Sequence, residues 1–167
     1  MKTQTFDLGD VRVAVADEAF GARYRPVDWI SAVVAERVGL HGDLVRAVVE
    51  VRQVVGGAAH RVLLGGAYLP GGLSLRVEVA TSRETWRRFR GPSGRLLIPG
   101  LPPQLADAAI GGLIGSPIGP GLVLVDRAGQ DRSTSSELVA CAAEVLGAVL
   151  TDRSHQGLGL KSFTKQP

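Results

Sequence analysis

Alternation of apolar and polar residues is the main pattern in the first half of the chain. It is cleanest over residues 73–80 (LSLRVEVA), where every second residue is Leu or Val, and this predicts a half-buried strand. Residues 8–16 (LGDVRVAVA) show the same alternation, and a β-branched run over 44–55 favours a strand from about Ala47. Residues 58–64 (AAHRVLL) predict a fourth strand after a turn at Gly56 and Gly57, and the glycine-rich residues 65–72 (GGAYLPGG) predict a loop.

Apolar residues recur at helical spacing mainly in the second half. Residues 94–150 predict a helix beginning near Pro102, a short buried strand over 121–126 (GLVLVD) and a last helix. Thr134 and Glu137 have the spacing of a capping box, in which each side chain bonds the other residue's backbone N–H, so the last helix is expected to begin there. An earlier helix is predicted over residues 27–38, with Asp28 as its N-cap. Strands that precede most of the helices indicate an α+β fold, and we expect the two late helices on one face of a sheet of at least four strands.

Composition narrows the class of protein. The chain has 167 residues, of which 45% are apolar, enough for one globular domain or slightly more. Its net charge of +3 permits an anionic partner without requiring one. The single cysteine, Cys141, excludes a disulfide within one chain, and we expect it to be buried in the last helix. No apolar leader and no run of about 18 apolar residues is present, so the sequence predicts a cytoplasmic protein without a membrane span.

The most suggestive chemistry is a cluster of arginines and aromatics over residues 83–95. Guanidinium groups bind phosphates with paired hydrogen bonds, and aromatic faces stack on bases. The candidate RNA-binding residues are Arg83, Trp86, Arg87, Arg88, Phe89, Arg90 and Arg95. The alternative interpretation is a solvated connector whose two aromatic residues anchor it to the core.

No catalytic set, cofactor motif or metal site is predicted. The three histidines (His41, His60 and His155) share no ligand spacing. The glycine-rich residues 65–72 are not followed by the Lys and Ser or Thr of a phosphate-binding loop, and Ser116 lacks the flanking pattern of a nucleophile elbow. We therefore expect a non-catalytic protein without cofactor or metal.

Residues 47–150 resemble domain IV of elongation factor G and of the tetracycline-resistance ribosomal protection proteins. The resemblance lies in VVEVRQVV (48–55), in HRVLLGGAYLPGGLSLRVEV (60–79), in LIPGLPPQLADAAIGGL (97–113) and in LVLVDRAGQDRSTSSELVACAA (122–143). It is closest at Ser135, Ser136 and Glu137. The chain departs from the family at residues 65–72, which lack the expected charges, and in the loop before residue 135, where Gln130 or Asp131 replaces the family's histidine.

The resemblance implies a sheet of the kind named after the second domain of ribosomal protein S5, with helices on one face. It also implies three regions: an N-terminal strand–helix extension (1–46), the domain IV-like unit (47–155) and a C-terminal tail (156–167). Since no GTPase signature is present, the expected function is that of a non-catalytic, translation-factor-like protein whose partner is the ribosome or structured RNA. The alternatives are a protein-interaction or homodimerisation module without RNA binding and, third, an enzyme related in fold to the galactokinase–homoserine kinase group.

Overall fold

A large mixed sheet and two helices make up the protein. The computed structural model describes residues 3–34, 41–83 and 86–157. The strands are β1 (Gln4–Leu8), β2 (Val11–Ala16), β3 (Asp28–Val34), β4 (Val45–Val55), β5 (Ala58–Pro70), β6 (Leu75–Thr81), β7 (Phe89–Arg90), β8 (Leu96–Pro99) and β9 (Gly121–Gln130). The helices are α1 (Pro103–Gly115) and α2 (Ser136–Gly157).

The strand order is β1-β2-β4-β5-β9-β6-β3, with the β7–β8 hairpin joined to β9 through β8. Every pair is antiparallel except β6 with β9, which is parallel. β9 thus lies between β5 and β6 and joins two antiparallel parts of the sheet. The three strands of the predicted N-terminal extension belong to the same sheet: β1 pairs with β2, β2 with β4, and β3 with β6.

Both helices pack on one face of the sheet, as expected, and the α+β fold class is confirmed. Alternate residues of the strands supply the sheet side of this core, for example Val49 on β4, Val77 on β6 and Val125 on β9. The helices supply the other side through residues such as Leu113 on α1 and Leu146 on α2. Burying such side chains stabilises the fold by about 1.5–3 kcal/mol each.

The opposite face of the sheet is only partly covered. A 3-10 turn at Phe20–Ala22 and the β7–β8 hairpin lie against it. They enclose a second, smaller cluster formed by Ala19, Ala22, Val48, Leu63, Phe89 and Leu97. The rest of this face, toward β1 and β2, is open, and its polar residues form the site described below.

Two of the predicted elements are wrong. The helix predicted over 27–38 is the strand β3 as far as Val34, and residues 35–38 lie outside the described residues. Its apolar residues fit both periods over so short a run, but Ile30, Ala32 and Val34 alternate toward the core. The loop predicted over 65–72 is strand as far as Pro70, and β9 is longer than predicted. A Cβ on Gly66 would lie 1.9 Å from the Leu124 carbonyl oxygen, so this glycine permits close strand packing instead of a turn.

The capping prediction for the last helix is displaced by one residue. The Leu138 N–H donates to Ser135 Oγ at 3.2 Å, so Ser135 is the N-cap and Glu137 lies in the first turn. Thr134 is not the cap, because its hydroxyl donates to the Arg61 carbonyl on β5 at 2.6 Å. Cys141, predicted to be buried, is half-buried beside the main core, where burial raises the pKa of its thiol.

Candidate functional site

Three neighbouring strands place arginines side by side on the open face of the sheet. Arg12 on β2 lies directly opposite Arg52 on β4, and Arg52 lies directly opposite Arg61 on β5. Adjacent strands are about 4.8 Å apart, and like charges at directly opposite positions destabilise a sheet. The arrangement therefore costs stability, which makes it a candidate for function.

Glu50 lies two residues before Arg52 on β4, so its side chain is on the same face of the sheet. The residue is 2% exposed. Its Oε2 accepts a hydrogen bond from the Ser93 N–H at 2.9 Å, and its Oε1 accepts one from the Ser93 hydroxyl at 2.5 Å. A Cβ on Gly91 would approach Oε2 to 2.6 Å, so a larger residue there would have to displace the Glu50 carboxylate. Glu50 thus holds the β7–β8 turn against the sheet and with it Arg95, which follows the turn.

These groups surround a cavity of about 410 Å³, which we call the arginine pocket. It is lined by Thr5, Arg12, Ala14, Glu50, Arg52, Arg61, Ser93 and Arg95. Four guanidinium groups thus face one carboxylate, and that carboxylate already bonds Ser93 through both oxygens. The Nε atoms of Arg52 and Arg61 are buried and have no hydrogen-bond partner. Such buried, unsatisfied donors favour an acceptor-rich ligand.

The electrostatics of Arg61 agree with this geometry. Burial and the charge of Arg52 lower the pKa of Arg61, with a further contribution from Arg95. Glu50 acts in the opposite direction, but its Oε1 is 4.0 Å from Arg61 Nε, beyond hydrogen-bond distance. Arg12 is better compensated, because its Nε donates to Asp7 Oδ1 at 2.6 Å. Arg52 and Arg61 thus keep buried Nε donors without acceptors, and an anion in the pocket would stabilise them.

Of the seven candidate RNA-binding residues, the structure places only Arg95 in the pocket. Phe89 is buried in the smaller cluster, as the connector interpretation expects of an anchoring aromatic. Trp86, in contrast, is 77% exposed. Three further arginines of this segment are exposed, and each donates a hydrogen bond to a backbone carbonyl. The pairs are Arg87 with Arg23, Arg88 with Arg87, and Arg90 with Gly94.

Arg83 lies apart from these residues. It lines a separate cleft with Val27, Asp28 and Pro103, near the start of α1. It is therefore not part of the arginine pocket.

The sequence interpretation missed Arg12, Arg52 and Arg61. Each occupies a polar position in an alternating strand, which is also the pattern of an ordinary solvated face. Only the strand register brings the three together across β2, β4 and β5. A charged residue in the middle of a β-branched run, as at Glu50 and Arg52, was the one available signal.

Other kinds of site find little support among the described residues. No group of three or more His, Cys, Asp or Glu side chains there could hold a metal ion. Nor is any helix in the described ranges long and apolar enough to cross a membrane.

Comparison with known proteins identifies no relative. No family model, curated protein or solved structure matches this chain significantly.

Proposed function

We propose that this protein is a non-catalytic RNA-binding protein that associates with the ribosome or with structured RNA. The observation that supports this most directly is the row Arg12–Arg52–Arg61, in which the buried Nε atoms of Arg52 and Arg61 have no hydrogen-bond partner. Arginine binds phosphate through paired, charge-assisted hydrogen bonds, which satisfy such donors. Phosphate contacts of this kind supply most of the affinity of nucleic-acid-binding proteins.

The surface around the pocket suits a polymer better than an isolated ion. Arg95 belongs both to the pocket and to the β7–β8 hairpin, and Arg88 and Arg90 are exposed on the same segment. Trp86 exposes an aromatic ring there, and an unpaired base could stack on it. One strand of RNA could thus contact the pocket and the hairpin together.

The resemblance of residues 47–150 to domain IV of elongation factor G supports the same function. Under this proposal the sheet with helices on one face is an S5 domain 2-like scaffold, used in the cytoplasm without a GTPase. The RNA contacts differ from the family's, because they lie on the open face of the sheet and not at residues 65–72. A fold alone does not determine function, so the pocket is the part to test.

The test is RNA binding measured by fluorescence anisotropy on a structured ribosomal RNA fragment. The parent protein should bind at about 50 mM salt and weaken steeply toward about 200 mM. An Arg12→Gln, Arg95→Gln double variant should bind more weakly, with a salt slope flatter by about one to two. Arg76→Gln is the matched control, since Arg76 is an exposed arginine on β6 whose charge Glu78 compensates at 2.6 Å. Failure of the parent to bind RNA at low salt would refute the proposal.

The alternative function, homodimerisation, is favoured by one observation. The edge strand β3 exposes Trp29 (44%) and Val33 (63%), and no described strand pairs with its outer side. Apolar edge strands readily pair with another chain. Light scattering of the parent and of Val33→Lys distinguishes the cases, because only a dimer formed through β3 would dissociate on this substitution.

A further inference from the structure

We infer that the arginine pocket binds a terminal phosphate of RNA, a phosphate monoester, rather than the phosphodiesters within a chain. The inference rests on the proposed function and concerns its ligand. Its basis is the number, depth and unsatisfied state of the guanidinium groups in one cavity.

The charge in the pocket exceeds what a phosphodiester can neutralise. A phosphodiester carries one negative charge, whereas a phosphate monoester carries about −1.5 to −2 at pH 7. The pocket presents Arg12, Arg52, Arg61 and Arg95 against two carboxylates, Glu50 in the pocket and Asp7, which pairs with Arg12 at 2.6 Å, so about two positive charges remain. A dianion therefore matches the excess positive charge more closely.

The hydrogen-bonding capacity supports the same choice. A guanidinium binds a phosphate most strongly through two parallel N–H donors. Arg52 and Arg61 are directly opposite each other, and each has a buried Nε without a partner. The paired N–H donors of these two guanidinium groups need several acceptor oxygens close together. A terminal phosphate presents three unesterified oxygens there, and an internal phosphate presents two.

The size and boundaries of the cavity also favour a chain end. A volume of about 410 Å³ lies in the range of about 300–1,000 Å³ that is typical of small-ligand sites. Strand β1 contributes Thr5 on one side, and the β7–β8 turn contributes Ser93 and Arg95 on the other. This space suits one terminal nucleotide, with the following nucleotides directed toward Arg90 and Trp86.

The experiment compares single-stranded RNAs of one sequence, about 12 nucleotides long, which is within the range covered by single-strand-binding domains. Four versions carry a 5′-phosphate, a 5′-hydroxyl, a 3′-phosphate or a 3′-hydroxyl, each labelled at the opposite end. Adenosine 5′-monophosphate serves as a competitor without a polymer. We expect one phosphorylated end to bind about tenfold more tightly than its hydroxyl counterpart, because it adds at least one charge-assisted hydrogen bond. The pair that differs identifies which end is bound.

Variants assign the effect to the pocket. Arg52→Gln should abolish the difference between phosphorylated and hydroxyl RNA, whereas Arg76→Gln on the remote strand β6 should retain it. If Arg52→Gln lacks the parent's thermal unfolding transition, Arg12→Gln replaces it, since the Arg12 side chain is about half exposed. Retention of the difference in the folded pocket variant would overturn the assignment to this pocket.

The remaining outcomes separate the two proposals. Equal affinity for all four RNAs would overturn the inference and leave the proposed function standing. Adenosine 5′-monophosphate binding as tightly as the phosphorylated RNA would overturn it in favour of a small phosphorylated ligand. Absence of binding to any of these RNAs would overturn the inference, and the structured ribosomal RNA fragment then decides whether the proposed function also fails.

Discussion

The Glu50 carboxylate accepts hydrogen bonds from both the backbone N–H and the hydroxyl of Ser93, a residue 43 positions away in the sequence. This contact fastens the β7–β8 hairpin to the middle of β4 and forms one wall of the arginine pocket. Two residues thus join the stability of the hairpin to the shape of the site.

Glu50→Ala should destabilise the protein by about 3 kcal/mol. The substitution leaves the half-buried Arg61 without its nearest carboxylate and leaves the Ser93 N–H without its partner. Ser93→Ala should cost less, about 1–2 kcal/mol, because it removes one hydrogen bond and keeps the carboxylate. Urea unfolding of both variants checks the order, and an equal cost would show that the charge of Glu50 contributes nothing.

Arg52→Gln should leave the free energy of unfolding unchanged or raise it by up to about 1 kcal/mol, although it weakens RNA binding. The reason is relief of like-charge repulsion from Arg12 and Arg61 on the two neighbouring strands. Arg76→Gln, which breaks a favourable surface pair, should instead lower it by less than about 1 kcal/mol. A clear loss of stability in Arg52→Gln would mean that Arg52 has a structural role.

Ser135→Ala should cost about 1 kcal/mol, because it removes the N-cap of α2. Thr134→Ala should also destabilise, but through the loop, since the Thr134 hydroxyl joins the Arg61 carbonyl and the Asp131 N–H. Amide hydrogen exchange distinguishes the two effects. Protection should fall in the first turn of α2 for Ser135→Ala and at the β5–β9 pairing for Thr134→Ala.

Gly66→Ala should unfold the protein or destabilise it by more than about 4 kcal/mol. The new Cβ would lie 1.9 Å from the Leu124 carbonyl oxygen, on a neighbouring backbone that cannot move without breaking the β5–β9 pairing. Gly111→Ala is the control, because its Cβ meets nothing within 4 Å on helix α1. That variant should gain up to about 1 kcal/mol. Thermal unfolding of the two variants makes the comparison.

Acid should weaken the contact between Glu18 and Arg127. Burial disfavours the Glu18 anion, but hydrogen bonds from Arg127 Nε and from the Ala19 N–H, both at 2.9 Å, together with the charges of Arg127 and Arg23, outweigh it and lower the pKa of Glu18. A depressed folded pKa contributes stability above the unfolded value, near 4.5, and this is lost as the pH falls through the folded pKa. The Glu18→Gln variant should therefore have a lower melting temperature than the parent at pH 7. The difference in melting temperature should become smaller below about pH 4. A difference in melting temperature that does not change with pH would contradict a stabilising role of the Glu18 charge.

The sequence was sufficient to predict an element where its apolar period was clear over a long enough segment. The strand over 73–80 and the two late helices are confirmed, because residues such as Val77 and Leu146 repeat at an unambiguous spacing. The apolar residues of Ile30–Val34 are too few to distinguish the spacing of a helix from that of a strand. Pairing with β6 makes this segment a strand. The glycines at 65 and 66 gave the signal of a turn, although their cause is close backbone packing.

The site was harder to predict than the fold, because it depends on register. Nothing in the local sequence shows that Arg12, Arg52 and Arg61 share one row, since Arg12 lies far from Arg52 along the chain and the three strands meet only in the sheet. The cluster over 83–95 was visible as composition, yet only Arg95 reaches the pocket. The predicted RNA-binding role of those seven residues stays a prediction.

The position of β9 has a consequence for how the protein is made. Among the described strands β9 is the last to be synthesised, yet it is the strand that joins the part containing β5 to the part containing β6. A nascent chain that ends before Gly121 can form two separate antiparallel sheets, each with an unprotected central edge. The continuous sheet can form only after synthesis has passed Gln130, so translation itself delays the joining of its two parts until β9 has emerged.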